Sequence, residues 1–151
     1  MTNYIFKKTN LSINFPESAV LDKNIKNIFK FEEKRKTYRA KNPNKREAIQ
    51  LQIDGKLYSK NTTKCDYGLL LEDGRFFLIE LKGRQVEYAC EQLLETLKLL
   101  EQDYKRYKFS FLCRIVAKRG CPAISTYQQN LIKKIGKSNF LSRENVLEED
   151  I

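Results

Sequence analysis

The chain has 151 residues, a formal net charge of +10 and neither histidine nor tryptophan. With 41% hydrophobic and 32% charged residues it reads as one globular domain over 1–151, and no apolar run reaches the ~18 residues of a membrane helix. The missing histidine excludes Ser-His-Asp and Cys-His catalysis and histidine-held zinc, so any catalysis falls to carboxylates, lysine, tyrosine, cysteine or a hard metal ion.

The first ten residues, MTNYIFKKTN, lack the apolar centre of a secretory signal, so a cytoplasmic protein is expected. Residues 10–15 read as a short strand or an extended lead-in. Residues 17–38 read as a lysine-rich helix, with Val20, Ile25, Ile28 and Phe29 as a rough apolar face. Asn42-Pro43 centres a loop. Residues 48–53, AIQLQI, alternate as a strand does, and Asp54-Gly55 predicts a turn into a second strand at 56–59. Two more strands are expected at 64–71 and 75–82, with Asp73-Gly74 between them.

Residues 85–104 carry the clearest helical stripe, from Val86, Ala89 and Cys90 through Leu93, Leu94, Leu97 and Leu100 to Tyr104. A buried strand follows at 109–117 and a second helix at 124–136. Residues 137–151 add one strand or stay loose. The sum is an α/β domain with a mixed central sheet, antiparallel in its early part and flanked by helices.

The segment with chemical content runs from Cys65-Asp66 to Glu80-Leu81-Lys82. Period-two geometry puts Phe76, Leu78, Glu80 and Lys82 on one face of their strand. A two-residue Asp73-Gly74 turn would pair Asp66 with Leu81 and point it away from Glu80. A three-residue loop, Glu72-Asp73-Gly74, would set Asp66 directly across from Glu80 with Cβ atoms about 5 Å apart. Two such carboxylates repel unless a cation lies between them, and oxygen ligands of this kind suit Mg²⁺ or Mn²⁺. With a lysine beside them, these are the parts of metal-assisted phosphodiester hydrolysis. The plainer alternative is a surface ion pair, Glu80–Lys82, with Asp66 a strand-end residue.

Asp66…Glu80-Leu81-Lys82-Gly83 resembles the PD-(D/E)xK nucleases, the restriction-endonuclease-like superfamily, over residues 45–118 or so. Cys65 stands where the family name has proline. The resemblance implies a restriction-endonuclease-like core and a metal held by Asp66, Glu80 and the backbone carbonyl of Leu81. It also implies that Lys82 positions the attacking water, and that the activity is Mg²⁺-dependent endonucleolytic cleavage of DNA, restriction-like or of the Holliday-junction type. Some members carry a glutamine on the following helix, for which Gln92 is the candidate, or else an ordinary helix-flank residue. Many place a glutamate on a first helix; Glu33 is the candidate, with Glu32, Glu17 and Glu47 as rivals.

The charge is uneven. Residues 22–64 hold thirteen Lys/Arg against five Asp/Glu, a balance of +8, and residues 139–151 hold one against four, a balance of −3. The basic region points to a polyanion such as nucleic acid, or to a surface kept soluble. Lys34, Arg35, Lys36, Arg39, Lys45, Arg46, Lys64 and Arg84 are candidate phosphate contacts as a cluster, with Tyr38 and Tyr58 as stacking platforms. The acidic tail reads as one pole of the molecule or as a solvated end. Cys65, Cys90, Cys113 and Cys121 form no C-x-x-C pair and read as reduced core thiols rather than cluster ligands. The rival functions are a nucleic-acid-binding or assembly module that no longer cleaves, and an RNA-directed nuclease. A nuclease that cuts both strands favours a two-fold homodimer.

Overall fold

A computed structural model of the chain describes residues 1–60, 63–81, 86–118 and 126–151. Within them the chain forms β1 (Thr2–Ile5), β2 (Ser12–Phe15), β3 (Val20–Ile25), β4 (Ile28–Glu33), β5 (Lys36–Lys41), β6 (Glu47–Gln52), β7 (Tyr67–Leu71) and β8 (Arg75–Glu80). Then come α1 (Val86–Asp103), β9 (Ser110–Ala117), α2 (Thr126–Ile135), β10 (Phe140–Glu144) and β11 (Val146–Asp150). Two 3-10 turns, Glu17–Ala19 and Lys137–Asn139, precede β3 and β10.

The central sheet has six strands in the order β10-β9-β8-β7-β6-β3. It is mixed, as expected: β3, β6, β7 and β8 pair antiparallel, while β8–β9 and β9–β10 are parallel. The parallel β8–β9 pair requires a crossover, and α1 supplies it. Its apolar stripe packs with β1, β2 and the residue set Ile49, Leu51, Leu70, Phe76, Leu78, Cys113 and Ile115 on one face of the sheet.

The other face departs from expectation. A three-stranded sheet, β11-β5-β4, covers it instead of a helix. Phe29, Phe31, Tyr38, Ala40 and Leu147 pack there against Leu69, Leu71, Phe77, Ile79 and Val116. The middle strands β7 and β8 are therefore buried on both sides, which accounts for their unbroken apolar runs.

The helix expected at 17–38 does not form: β3, β4 and the first part of β5 occupy it. Ile25 and Ile28 of the expected apolar face are exposed, while Phe29 and Phe31 are buried between exposed Ile28, Lys30 and Glu32, the alternation of a half-buried strand. The β4–β5 turn is Lys34-Arg35, both with left-handed backbone (φ 48° and 65°). Glycine or asparagine normally announces such a two-residue turn, and neither is present.

The strand expected at 56–59 is also absent. Tyr58 makes only an isolated bridge to Asp54 within a turn. The tail gives two strands: β10 extends the large sheet and β11 the small one, each parallel to its neighbour. It is not a solvated end. Glu149 accepts two hydrogen bonds from Arg114 and one from the Tyr38 hydroxyl. Burial and the Glu149 charge push the Tyr38 hydroxyl pKa well up. Cys65, Cys90 and Cys113 are buried thiols with no disulfide joining them, and Cys121 lies outside the described residues. Among the described residues no helix is long and apolar enough to cross a membrane.

Candidate active site

The β7–β8 connection decides whether two carboxylates meet. Leu70 pairs with Phe76 and Tyr67 with Ile79, so Glu72-Asp73-Gly74 is the three-residue loop. Gly74 adopts φ +90° and its N–H donates to Leu71 O at 3.0 Å, the left-handed third position this loop needs. One step beyond Tyr67–Ile79, the same register sets Asp66 across from Glu80.

Both carboxylates belong to the face that α1 covers, in line with Gly68 and Leu70 on one strand and Phe76 and Leu78 on the other. Glu80 is fully buried and Asp66 is 3% exposed. Asp66 Oδ2 accepts the Leu81 N–H at 2.8 Å, which closes the end of the strand pair. The Asp66 carbonyl accepts the N–H of Ile53 at 3.0 Å. Beside them the Cys65 thiol is pushed well up, by burial first and then by the Glu80 charge.

A polar clamp from α1 holds the lead-in to β7. The Cys65 N–H donates to Thr96 Oγ1 at 2.9 Å, and that hydroxyl donates to Gln92 O at 2.8 Å. Gln92 Nε2 donates to Lys64 O at 3.1 Å. Gln92 thus lies next to the segment that carries Asp66 and grips its backbone. Thr96 was not singled out from sequence, although a polar residue within the buried side of α1 is a visible signal.

Lys82 and Arg84 lie outside the described residues. The first-helix glutamate has no first helix to occupy. Glu33 and Glu32 end β4 in the small sheet, so the large sheet separates that layer from the face of Asp66 and Glu80. Glu17 sits in a 3-10 turn. Glu47 begins β6 at the opposite end of the strands, where Lys23 Nζ (2.7 Å) and the Lys7 N–H (3.0 Å) hold it. Among the described residues no group of three or more Asp, Glu or Cys side chains gathers as for a metal ion. Asp66 and Glu80 form a pair of hard oxygen donors, and that donor chemistry suits Mg²⁺ or Mn²⁺.

The basic cluster divides. The Phe31 ring lies 5.3 Å from Tyr67, next to Asp66, so the β4–β5 hairpin points its exposed Lys34-Arg35 tip and Lys36 toward the carboxylate end. Lys64, two residues before Asp66, is buried with its ammonium 5.6 Å over the Tyr58 ring, and burial lowers its pKa. Arg39 faces Lys30 along the outer sheet. Arg46 pairs with Asp73 at 3.3 Å and Lys45 with Asn27, both at the far end. Tyr38 is a core residue, not a stacking platform.

Comparison of the chain with family models, curated proteins and solved structures finds no match.

Proposed function

We propose that the chain is a metal-dependent nuclease that hydrolyses phosphodiester bonds in DNA, with a restriction-endonuclease-like core over β6–β7–β8–α1–β9. The observation that supports it is the three-residue loop that sets Asp66 across from Glu80. Asp66, Glu80 and the Leu81 carbonyl hold Mg²⁺ in this reading, and the Leu81 N–H fixes the Asp66 carboxylate. A bound Mg²⁺ supplies Lewis acidity and a more acidic water. Lys82 orients the attacking water; Gln92 and Thr96 keep Asp66 in place through the backbone of Lys64 and Cys65. Lys34, Arg35 and Lys36 take up phosphates at the same end. A two-fold dimer would present two such sites to a duplex.

A second reading has its own observation. The carboxylates are buried, and one Asp66 oxygen is already engaged by backbone. That favours a nucleic-acid-binding or assembly module that no longer cleaves.

The test uses purified protein with plasmid, linear, single-stranded and four-way DNA and with RNA, in Mg²⁺, Mn²⁺ or EDTA, beside Asp66→Asn and Lys82→Ala. The nuclease reading expects cleavage in metal only, lost in Asp66→Asn at unchanged melting temperature. Cleavage that survives in Asp66→Asn overturns the site. Binding without cleavage in every condition establishes the second reading, and cleavage of RNA alone reassigns the substrate.

A further inference from the structure

Two neighbouring cavities at the far end of α1 have a chemistry that the carboxylate end does not explain. One of about 510 Å³ is lined by Tyr104, Lys105, Tyr107, Lys108, Phe109 and Lys134 among others. The next, about 340 Å³, shares Tyr104 and Tyr107 and adds Tyr58 and Arg106.

The rings are arranged as a platform. Tyr107 and Phe109 are half-buried and nearly parallel, 5.6 Å apart at 8°. The Arg106 guanidinium lies 5.0 Å over the Tyr107 ring. In sequence this is Lys105-Arg106-Tyr107-Lys108-Phe109, cations alternating with aromatics. Cations after a helix C-terminus are expected from the helix dipole alone. The dipole does not account for two half-exposed rings, stacked on each other, in the wall of a concavity.

The platform also leads somewhere. Tyr58 lines the second cavity, donates to Asp103 at 2.9 Å and lies beneath the Lys64 ammonium. Lys64 stands two residues before Asp66. Along α1 the distance covered is about 10–17 Å, from Asp103, which Tyr58 touches, back to Thr96 and Gln92, which hold the backbone of Cys65 and Lys64. That is longer than a single nucleotide and fits a short stretch of extended strand.

We propose that these two cavities are a track for single-stranded nucleic acid, with bases stacked on Tyr107 and Phe109 and phosphates held by Lys105, Arg106 and Lys108, running past Tyr58 and Lys64 to Asp66 and Glu80. Stacking on side chains requires a free base face, which a duplex does not offer. The inference rests on the nucleic-acid part of the proposed function and not on cleavage.

The experiment measures anisotropy of a labelled oligothymidylate of about 12 nucleotides binding the full chain in EDTA. Tyr107→Ala is expected to weaken binding about tenfold and Tyr107→Phe less than about twofold. Arg106→Glu lowers affinity and flattens its salt dependence. A duplex of the same length should be insensitive to Tyr107→Ala. Unchanged single-strand affinity in folded Tyr107→Ala overturns the track. So does an equal loss for duplex, or displacement of the oligomer by equimolar thymidine monophosphate. Photo-crosslinking of a bromouracil-containing strand to the unmodified protein is a second readout: adducts at Tyr107 or Phe109 support the track, and adducts only elsewhere overturn it. Because binding is read in EDTA, loss of stacking with cleavage intact removes the track alone, and stacking without cleavage removes the nuclease alone.

Discussion

Arg114 on β9 and Glu149 on β11 meet side by side, Nε to Oε2 at 2.6 Å and Nη2 to Oε1 at 3.1 Å, and so join the large sheet to the small one. Both side chains are largely buried, and Tyr38 donates to the same carboxylate. Losing one partner strands the other charge away from water. Arg114→Met should cost about 3 kcal/mol, a fall in melting temperature of roughly 6–12 °C at this size. The double variant Arg114→Met/Glu149→Leu should recover part of that. Additive losses in thermal melts would show that the pair is not coupled.

Gly68 and Gly74 differ in what they protect. At Gly74 an added Cβ would meet only Lys108 O, at 3.7 Å, but the backbone is left-handed. Gly74→Ala should cost about 1 kcal/mol. At Gly68 the Cβ would come within 2.8 Å of Phe76 Cε1 and 3.0 Å of Ile53 Cδ1. Gly68→Ala should cost more, up to about 3 kcal/mol. Urea melts rank the two, and a reversed order would mean that Phe76 moves aside freely.

The Lys34-Arg35 turn sets stability against binding. Replacing it with Asn-Gly (Lys34→Asn, Arg35→Gly) removes two non-glycine left-handed residues and should stabilise by about 1–2 kcal/mol. If the tip contacts DNA phosphates, the same variant binds more weakly, and its log–log salt slope shrinks by about 2. A more stable protein with an unchanged slope would remove the tip from the interface.

Glu47 should make part of the stability acid-sensitive. Burial raises its carboxyl pKa, but the Lys23 ammonium and the Lys7 N–H outweigh this and leave it below the usual 4.5. A depressed folded pKa means the stabilisation is complete above about pH 4.5 and fades as pH falls through the folded value. Glu47→Gln should therefore destabilise at pH 7 and much less near pH 3. An equal loss at both would show that packing, not charge, is responsible.

The hairpin that carries Asp66 and Glu80 was legible because its strands are apolar on both faces and Gly74 marks the loop. The sequence allows two registers, and the pairing of Leu70 with Phe76 selects the three-residue loop. The segment from Val20 to Lys41 misled because Val20, Ile25, Ile28 and Phe29 fit a helical face, while the turn that makes them strands contains no glycine or asparagine. The helices were right on α1 because its stripe is long and its partners are close in sequence. The small sheet was invisible: β11 pairs with β5 more than a hundred residues earlier, and no local pattern reports such a partner. The Lys105–Phe109 run was readable as alternating cations and rings but sat next to a helix end, where cations have an ordinary explanation.

The placing of β11 also orders events during synthesis. The basic hairpin, β4–β5, leaves the ribosome early, yet one edge of its sheet is completed only by Val146–Asp150, and Tyr38 meets Glu149 across 111 positions. Contacts so distant along the chain form slowly. Until Val146–Asp150 pair with it, β5 keeps an open edge, and the side of Tyr38 that Leu147 and Glu149 meet stays uncovered, a free strand edge being a site of wrong association.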